Sequence, residues 1–165
     1  RGEIMENNVR LLQIGRREGL PEAVLRELDI TRKVSRDNTG LTLCLAINYG
    51  ARNEIVDAVR AIARRVQAGD LQPDQIEEST VSAALDTAGV PDPDLLIRTA
   101  GEMRVSNFLL WQIAYAEIYV TPTLWPDFSR ADLLAAILDY QKRDRRYGGL
   151  SAGPVNGSSQ LVPAQ

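Results

Sequence analysis

The sequence predicts an α/β fold in which a mostly parallel sheet is flanked by helices. Short apolar runs of strand length alternate along the chain with longer stretches whose apolar residues recur at helical spacing. Strands that alternate with helices form βαβ units, and these units place neighbouring strands parallel. Because 44% of the 165 residues are hydrophobic, the chain can bury one sizeable core, and residues 1–150 are predicted to belong to one domain.

The first half of the chain is predicted to hold two strands and two helices. Residues 9–14 form a short apolar run and are predicted to be a buried strand. Pro21 then opens a helical pattern, and residues 41–47 follow as a second strand. This second strand is apolar enough to be covered on both faces, as strands of parallel sheets are. Residues 53–66 repeat isoleucine and valine at helical spacing and are predicted to be the second helix.

The second half continues the alternation. The predicted elements are a loop leading into a helix over 70–85, a strand over 95–97, a helix over 108–116, a strand over 118–121 and a helix over 129–143. Ser129 is the expected N-cap of the last helix. Residues 151–165 are small, polar and rich in proline and glycine, so we expect a disordered tail.

Two arginines follow the strand at 95–97 and precede the predicted helix at 108–116. Ser106 and Asn107 stand where N-caps stand, and a helix start exposes unpaired N–H groups at the positive end of its dipole. Arg98 and Arg104 converging there would form a positive pocket of the size of a diphosphate. The residues alone leave a second interpretation open, in which these arginines form solvated surface ion pairs.

The acceptor for such a surface ion pair would be Glu102, which lies between the two arginines in the sequence. The fold offers an independent reason to expect a site here. Ligands of parallel sheets collect at the carboxyl ends of the strands. Arg98 lies at that end of its strand and residues 48–50 at that end of theirs, so both segments are expected at one rim.

Composition excludes several classes of site. The chain has no histidine, so a Ser-His-Asp triad is excluded, and Cys44, its single cysteine, cannot form a disulfide within the chain or a cysteine–histidine zinc site. The net charge of −3 provides no global basic field for nucleic acid. Without a long apolar run or a signal peptide, the sequence predicts a cytoplasmic protein.

One long stretch of sequence resembles a known family. Residues 94–117 read DLLIRTAGEMRVSNFLLWQIAYAE and residues 124–128 read LWPDF. Together with GLTL at 40–43 and NYG at 48–50, these motifs resemble the cis-prenyltransferases, and among them the bacterial undecaprenyl diphosphate synthases. The resemblance runs from about residue 8 to residue 149, where RRYGG closes it. It implies the fold of that family.

The resemblance also implies an activity and a site. Members condense isopentenyl diphosphate with an allylic diphosphate, usually farnesyl diphosphate, into a Z-polyprenyl diphosphate for lipid-carrier synthesis. It implies that Arg98, Arg104 and Ser106 bind isopentenyl diphosphate, that Asn107 braces the loop or the helix start, and that Glu117 holds Mg²⁺. It further implies a homodimer in which the segment 146–148 assists substrate binding across the subunits, and at most peripheral membrane contact through the lipid product.

The chain departs from the family at one important point. The Asp-Gly-Asn-Gly-Arg-Trp loop that carries the family's catalytic aspartate does not occur in it. We therefore expect the C-terminal part of a longer enzyme, without the first strands, without the catalytic residue and without turnover of its own. The alternatives are a non-catalytic accessory subunit of a cis-prenyltransferase and an unrelated phosphate-binding α/β module.

Overall fold

A computed structural model describes residues 1–143, and the segment 146–148 and the predicted tail lie outside these residues. Its elements in chain order are α1 (Gly2–Glu6), β1 (Arg10–Ile14), α2 (Glu22–Val34), β2 (Thr42–Ala46), α3 (Ala51–Ala68), a 3₁₀ helix (Pro73–Gln75), α4 (Glu78–Ser82), β3 (Leu95–Arg98), β4 (Glu117–Val120), a second 3₁₀ helix (Trp125–Asp127) and α5 (Arg130–Gln141). The predicted α/β class is confirmed.

The strands form two parallel pairs. β1 pairs with β2, with Leu12 opposite Cys44, and β3 pairs with β4, with Leu96 opposite Ile118. Within residues 1–143 the two pairs are separate two-stranded sheets rather than one continuous sheet. Each pair is joined through a helical or turn-rich connection, as parallel strands require. The prediction of parallel pairing is therefore confirmed.

Helix α2 is fastened to β1 by a buried serine. Ser35 follows the last turn of α2 and is fully buried. Its hydroxyl donates to the Thr31 carbonyl at 2.8 Å and accepts from the Leu11 N–H at 3.1 Å. The hydroxyl thus gives the Leu11 N–H an acceptor and adds a second hydrogen bond to the Thr31 carbonyl, which also accepts from the Ser35 N–H.

Helix α3 is the longest element and begins and ends outside its predicted bounds. Its buried face consists of Ala51, Glu54, Ala58 and Ile62, one residue per helical turn. It ends at Gly69, whose φ of 81° lies in the left-handed region that glycine adopts without strain. Three of the four buried residues are apolar, and the fourth is a carboxylate.

Two predictions about the strands and helices are wrong. β2 is not covered on both faces within residues 1–143, because Leu41 is 69% exposed and Leu43 is 40% exposed. The predicted helix over 108–116 is a series of turns. It is interrupted at its start, because Ser106, Asn107 and Leu109 have φ values of 48°, 60° and 46°, which an α-helix cannot contain.

The last helix agrees with the sequence. The Ser129 hydroxyl accepts from the Asp132 N–H at 3.4 Å, and the Asp132 carboxylate accepts from the Ser129 N–H at 2.8 Å. This is the reciprocal capping box that a serine and an acidic residue form at a helix start. Within residues 1–143, no helix combines the length and the apolar character needed to cross a bilayer.

Candidate functional site

The loop after β3 is held against the end of β4 by two backbone hydrogen bonds. The Ala100 N–H donates to the Thr123 carbonyl at 2.9 Å, and the Gly101 N–H donates to the Thr121 carbonyl at 2.8 Å. Ala100 and Gly101 have φ values of 64° and 66°. Two successive left-handed residues turn the chain sharply, and the turn places the following segment beside Arg98, the last residue of β3.

The two predicted arginines converge on one carboxylate. Glu102 accepts hydrogen bonds from the guanidinium groups of both Arg98 and Arg104. The bond from Arg98, followed by the charges of the two arginines, holds the pKa of the Glu102 carboxyl below its usual value. The arginine side chains differ in burial, since Arg98 is 30% exposed and Arg104 is 64% exposed. The ion-paired arrangement that the sequence left open is thus the one observed.

Arg98 keeps one donor without a partner. Its Nε is buried and makes no hydrogen bond to any described residue. Arg98, Glu102 and Arg104 supply the polar lining of a cavity of about 230 Å³. The remaining lining residues are apolar, namely Leu96, Met103, Val105, Ile118 and Val120. A cavity with a cationic part and an apolar wall suits a small anion that carries a hydrocarbon group.

Asn107 caps α3, a helix that lies earlier in the chain. The first residues of α3 follow Gly50, which has no side chain to accept from the free N–H groups. The Asn107 carbonyl accepts from the Ala51 N–H at 2.9 Å, and its Oδ1 accepts from the Arg52 N–H at 2.9 Å. The predicted bracing of a helix start by Asn107 is therefore present, but the helix is α3, more than fifty residues earlier in the chain.

The same contact joins the loop that follows Arg98 to the residues at the start of α3. A Cβ on Gly50 would lie 2.8 Å from Asn107 Nδ2, so the close approach depends on glycine at this position. Next to this contact, the rings of Tyr49 and Phe108 meet edge to face with centroids 6.0 Å apart. Ser106 lies one residue before Asn107, so α3 indirectly determines where Ser106 stands.

A buried polar network lies under this contact, and the sequence analysis missed it. Glu54, on α3, is 6% exposed. Its carboxylate accepts from the Tyr49 hydroxyl at 2.5 Å, from the Asp86 N–H at 3.0 Å and from Gln112 Nε2 at 3.2 Å. Burial, and next the hydrogen bond to Glu54, raise the pKa of the Tyr49 hydroxyl. The available signal was a glutamate on the same helical stripe as Ala51, in an otherwise apolar row.

Glu117, the predicted magnesium ligand, forms an ion pair. It is the first residue of β4, and its Oε2 accepts from Arg143 Nη1 at 2.9 Å. Hydrogen bonds from Arg143 to Glu117 and to Asp139 raise the pKa of the Arg143 guanidinium. The register pairs Glu117 with Leu95, so Glu117 and Arg98 lie at opposite ends of the β3–β4 pair.

A metal ion bound by the protein alone needs several acidic, cysteine or histidine ligands in one place. Across residues 1–143 no cluster of three or more acidic, cysteine or histidine side chains could hold a metal ion. Magnesium, however, often takes only one or two carboxylates from the protein and completes its octahedron with substrate phosphates and water. Glu117 is compatible with that smaller role if Arg143 releases it.

Comparison with known proteins identifies relatives of the whole described chain. The family model for undecaprenyl diphosphate synthase, Prenyltransf, matches residues 1–148. An isoprenyl transferase of Heliobacterium mobile is 57% identical over 142 residues, which is 86% of this chain and 55% of the relative. An isoprenyl transferase of Rhodopirellula baltica is 50% identical over 153 residues, which is 93% of this chain and 63% of the relative. The chain therefore spans less than two thirds of the length of either relative.

Solved structures give the same result. Lavandulyl diphosphate synthase from Lavandula x intermedia, in complex with dimethylallyl diphosphate, superposes with a TM-score of 0.86 and 42% identity, covering 89% of this chain and 64% of that one. A probable undecaprenyl diphosphate synthase from Campylobacter jejuni superposes with a TM-score of 0.75 and 34% identity, covering 90% of this chain and 67% of that one.

Proposed function

The chain belongs to the undecaprenyl diphosphate synthase family of cis-prenyltransferases, and we propose that it carries the isopentenyl diphosphate site of such a transferase. The reaction joins isopentenyl diphosphate to an allylic diphosphate, such as farnesyl diphosphate, and gives a Z-polyprenyl diphosphate with release of inorganic diphosphate and a proton. The observation that carries the proposal is the cavity that Arg98, Glu102 and Arg104 line on its polar side and apolar residues line on the other. An anion in this cavity would accept charge-assisted hydrogen bonds from the two guanidinium groups in place of the Glu102 carboxylate.

Each residue of the site has a proposed task. Arg98 and Arg104 bind the diphosphate through paired N–H groups, for which a planar guanidinium is better suited than an ammonium. Ser106 adds a hydroxyl donor from the loop that Asn107 holds. Glu102 binds Nη2 of each arginine, between the two guanidinium groups. The diphosphate must therefore displace Glu102, and the apolar wall receives the five-carbon group.

Magnesium is proposed as the cofactor, with Glu117 as its one ligand from this chain. When bound, the ion would neutralise diphosphate charge as the allylic C–O bond breaks. Glu117 must first be released from Arg143, which also binds Asp139. Only an ionised carboxylate binds the metal well.

A homodimer is proposed from the surface of α5. Four aliphatic side chains of this helix are at least one third exposed: Leu133, Leu134, Ile137 and Leu138. A row of exposed aliphatic residues on one helix is a common feature of a subunit interface. Light scattering of the chain, and of a Leu134→Lys, Leu138→Lys variant, would test this. Equal masses for both proteins at the monomer value would contradict a homodimer.

The binding site is tested by equilibrium dialysis of the chain with radiolabelled isopentenyl diphosphate. Arg98→Ala and Arg104→Ala should each weaken binding by roughly 2 to 4 kcal/mol, which is about thirtyfold to nearly a thousandfold. The control is Arg36→Ala, which removes an exposed arginine paired only with its neighbour Asp37. Unchanged affinity in both site variants, or equal loss in the control, would contradict the assignment.

The activity is tested with a chimera in which this chain replaces the matching part of the Heliobacterium mobile isoprenyl transferase. We expect the chimera to convert farnesyl and isopentenyl diphosphates to polyprenyl products, and the chain alone to give none. An accessory subunit would leave the chimera inactive although folded. Retention of Arg98, Arg104, Ser106 and Glu117 together favours the transferase, because an accessory chain has less use for all four.

A further inference from the structure

The segment that follows Arg104 carries Ser106 but has no helix of its own to hold it. We propose that Glu54 is a positioning residue for the diphosphate site, acting with Gln112 as a buried carboxylate–amide clamp that fixes residues 106–112 on α3. The inference rests on the proposed function of Arg98 and Ser106. It assigns a task to a carboxylate that does not line the cavity beside Arg98 and that binds neutral donors among residues 1–143.

The clamp has two attachments to the first turns of α3. Asn107 binds the N–H groups of Ala51 and Arg52, and Gln112 Nε2 binds Glu54 at 3.2 and 3.3 Å to its two oxygens. Residues 106–112 are thus held at both ends by the helix. Because these residues form turns rather than a helix, their own backbone gives them little rigidity.

Burial of the Glu54 carboxylate requires hydrogen-bond donors around it. A carboxylate that is 6% exposed has to be stabilised by partners, and the partners found here are neutral donors: a hydroxyl, a backbone N–H and an amide. Each donor comes from a different segment of the chain. Since neutral hydrogen bonds depend strongly on direction, the carboxylate holds these segments in one arrangement more strictly than apolar packing would.

The network continues from Glu54 to the end of β1. Asp86 donates its N–H to Glu54 and accepts from the Gly15 N–H at 2.9 Å through its own carboxylate. Gln112 Nε2 also donates to the Thr87 hydroxyl at 2.9 Å. A shift of Glu54 would therefore be transmitted to the loop at 85–90 and to residues 106–112 together. Glu54 therefore acts by fixing the positions of residues at the site and not by placing a charge in the cavity.

The test uses an exchange of the clamped pair in the full chain. Glu54→Gln removes the carboxylate, Gln112→Met removes the amide donor with little change of volume, and the double variant Glu54→Gln, Gln112→Glu restores a carboxylate–amide pair with exchanged positions. Asp57→Asn is the control, because Asp57 lies on α3 one turn later and binds exposed arginines instead.

Two readouts are measured for each variant. The first is the dissociation constant of isopentenyl diphosphate, expected to rise about tenfold in Glu54→Gln and Gln112→Met and to return to within about threefold of the parent in the exchange variant. The second needs no ligand. Trp111 lies beside Gln112 and donates its indole N–H to Ser82 at 3.0 Å, so its acrylamide quenching reports whether residues 106–112 stay docked. Trp125→Phe is introduced throughout, leaving Trp111 as the single tryptophan.

The outcomes separate the clamp from the proposed function. Increased quenching of Trp111 and weaker binding in both single variants, with recovery in the exchange variant, support the clamp. Unchanged quenching and unchanged affinity in Gln112→Met overturn it, even if Glu54→Gln fails to fold. If the parent chain binds no isopentenyl diphosphate, the proposed function fails, while the quenching series still decides whether Glu54 positions residues 106–112.

Discussion

Replacement of Asn107 by alanine should destabilise the protein through two separate effects. The variant loses the side-chain acceptor of the Arg52 N–H, a hydrogen bond of 2.9 Å. Loss of an N-cap acceptor costs about 1 kcal/mol. Alanine must also adopt the φ of 60° that Asn107 has, and a left-handed alanine costs roughly another 1 kcal/mol. The expected decrease in the free energy of unfolding is therefore about 2 kcal/mol.

A series of substitutions at this position separates the two effects. Asn107→Gly relieves the backbone but lacks the acceptor, so it should cost about half as much as alanine. Asn107→Asp keeps an acceptor, tolerates the left-handed region and places a negative charge at the positive end of the α3 dipole, so stability should equal or exceed that of the parent.

Urea denaturation followed by circular dichroism measures the series. With a denaturant slope near 2 kcal/mol per M, the alanine variant should unfold at about 1 M less urea than the parent. Among the three variants, we expect Asn107→Asp to be the most stable, Asn107→Gly to be intermediate and Asn107→Ala to be the least stable. Equal midpoints for glycine and alanine would refute the backbone contribution, and an aspartate variant as unstable as alanine would refute the cap.

Three further predictions address the metal, the core and pH. In the chimera, Glu117→Gln should raise the Mg²⁺ concentration that gives half the maximal rate, whereas Arg143→Gln, which frees Glu117, should lower that concentration. Superimposable magnesium titrations of the parent and the variants would leave Glu117 as an ion-pair partner only. Ser35→Ala should lower the free energy of unfolding, measured by urea denaturation, by about 2 kcal/mol, because it leaves the buried Leu11 N–H without an acceptor. A decrease below about 0.5 kcal/mol would contradict this account. Hydrogen bonds from Ser129 lower the folded-state pKa of Asp132 below its unfolded value. The contribution of Asp132 to the free energy of unfolding is therefore present above about pH 4 and is lost as the pH falls through the folded-state pKa. The difference in urea midpoint between the parent and Asp132→Asn should shrink below about pH 4, and a difference independent of pH would contradict this prediction.

The sequence predicted the strands and the long helices well because their signals are local. Apolar runs placed all four strands within about two residues of their observed ends, and the helical spacing of apolar residues located α2, α3 and α5. The capping serine of α5 was also evident, since Ser129 and Asp132 lie three residues apart in the pattern of a capping box.

The turn-rich segment at 108–116 could not be predicted in the same way. Its apolar residues do recur at helical spacing, but the backbone at Ser106, Asn107 and Leu109 is left-handed. The Asn107 carbonyl and side chain are bound to a helix that begins more than fifty residues earlier. Spacing within the segment contains no information about that partner, so tertiary contact overrode the local pattern.

The candidate site was predicted in part. The convergence of Arg98 and Arg104 followed from their positions around one short loop, and the structure brings both to Glu102. Glu54 was missed although it lies in a helical stripe of alanine and isoleucine, because the sequence does not show which donors would hold a buried carboxylate there. Its importance depends on the three segments that contact it, and their proximity is set by the fold.

The capping of α3 by Asn107 also affects the order in which the protein folds. The amide protons of Ala51 and Arg52 have acceptors only after the chain has doubled back over more than fifty residues. Closure of so long a loop is slow compared with helix formation, so the first turn of α3 should fray until late in folding. Protection from hydrogen exchange at these two amides during folding would therefore measure when the segment around Asn107 docks on α3. Protection of amides in the middle of α3 would measure when the helix itself forms.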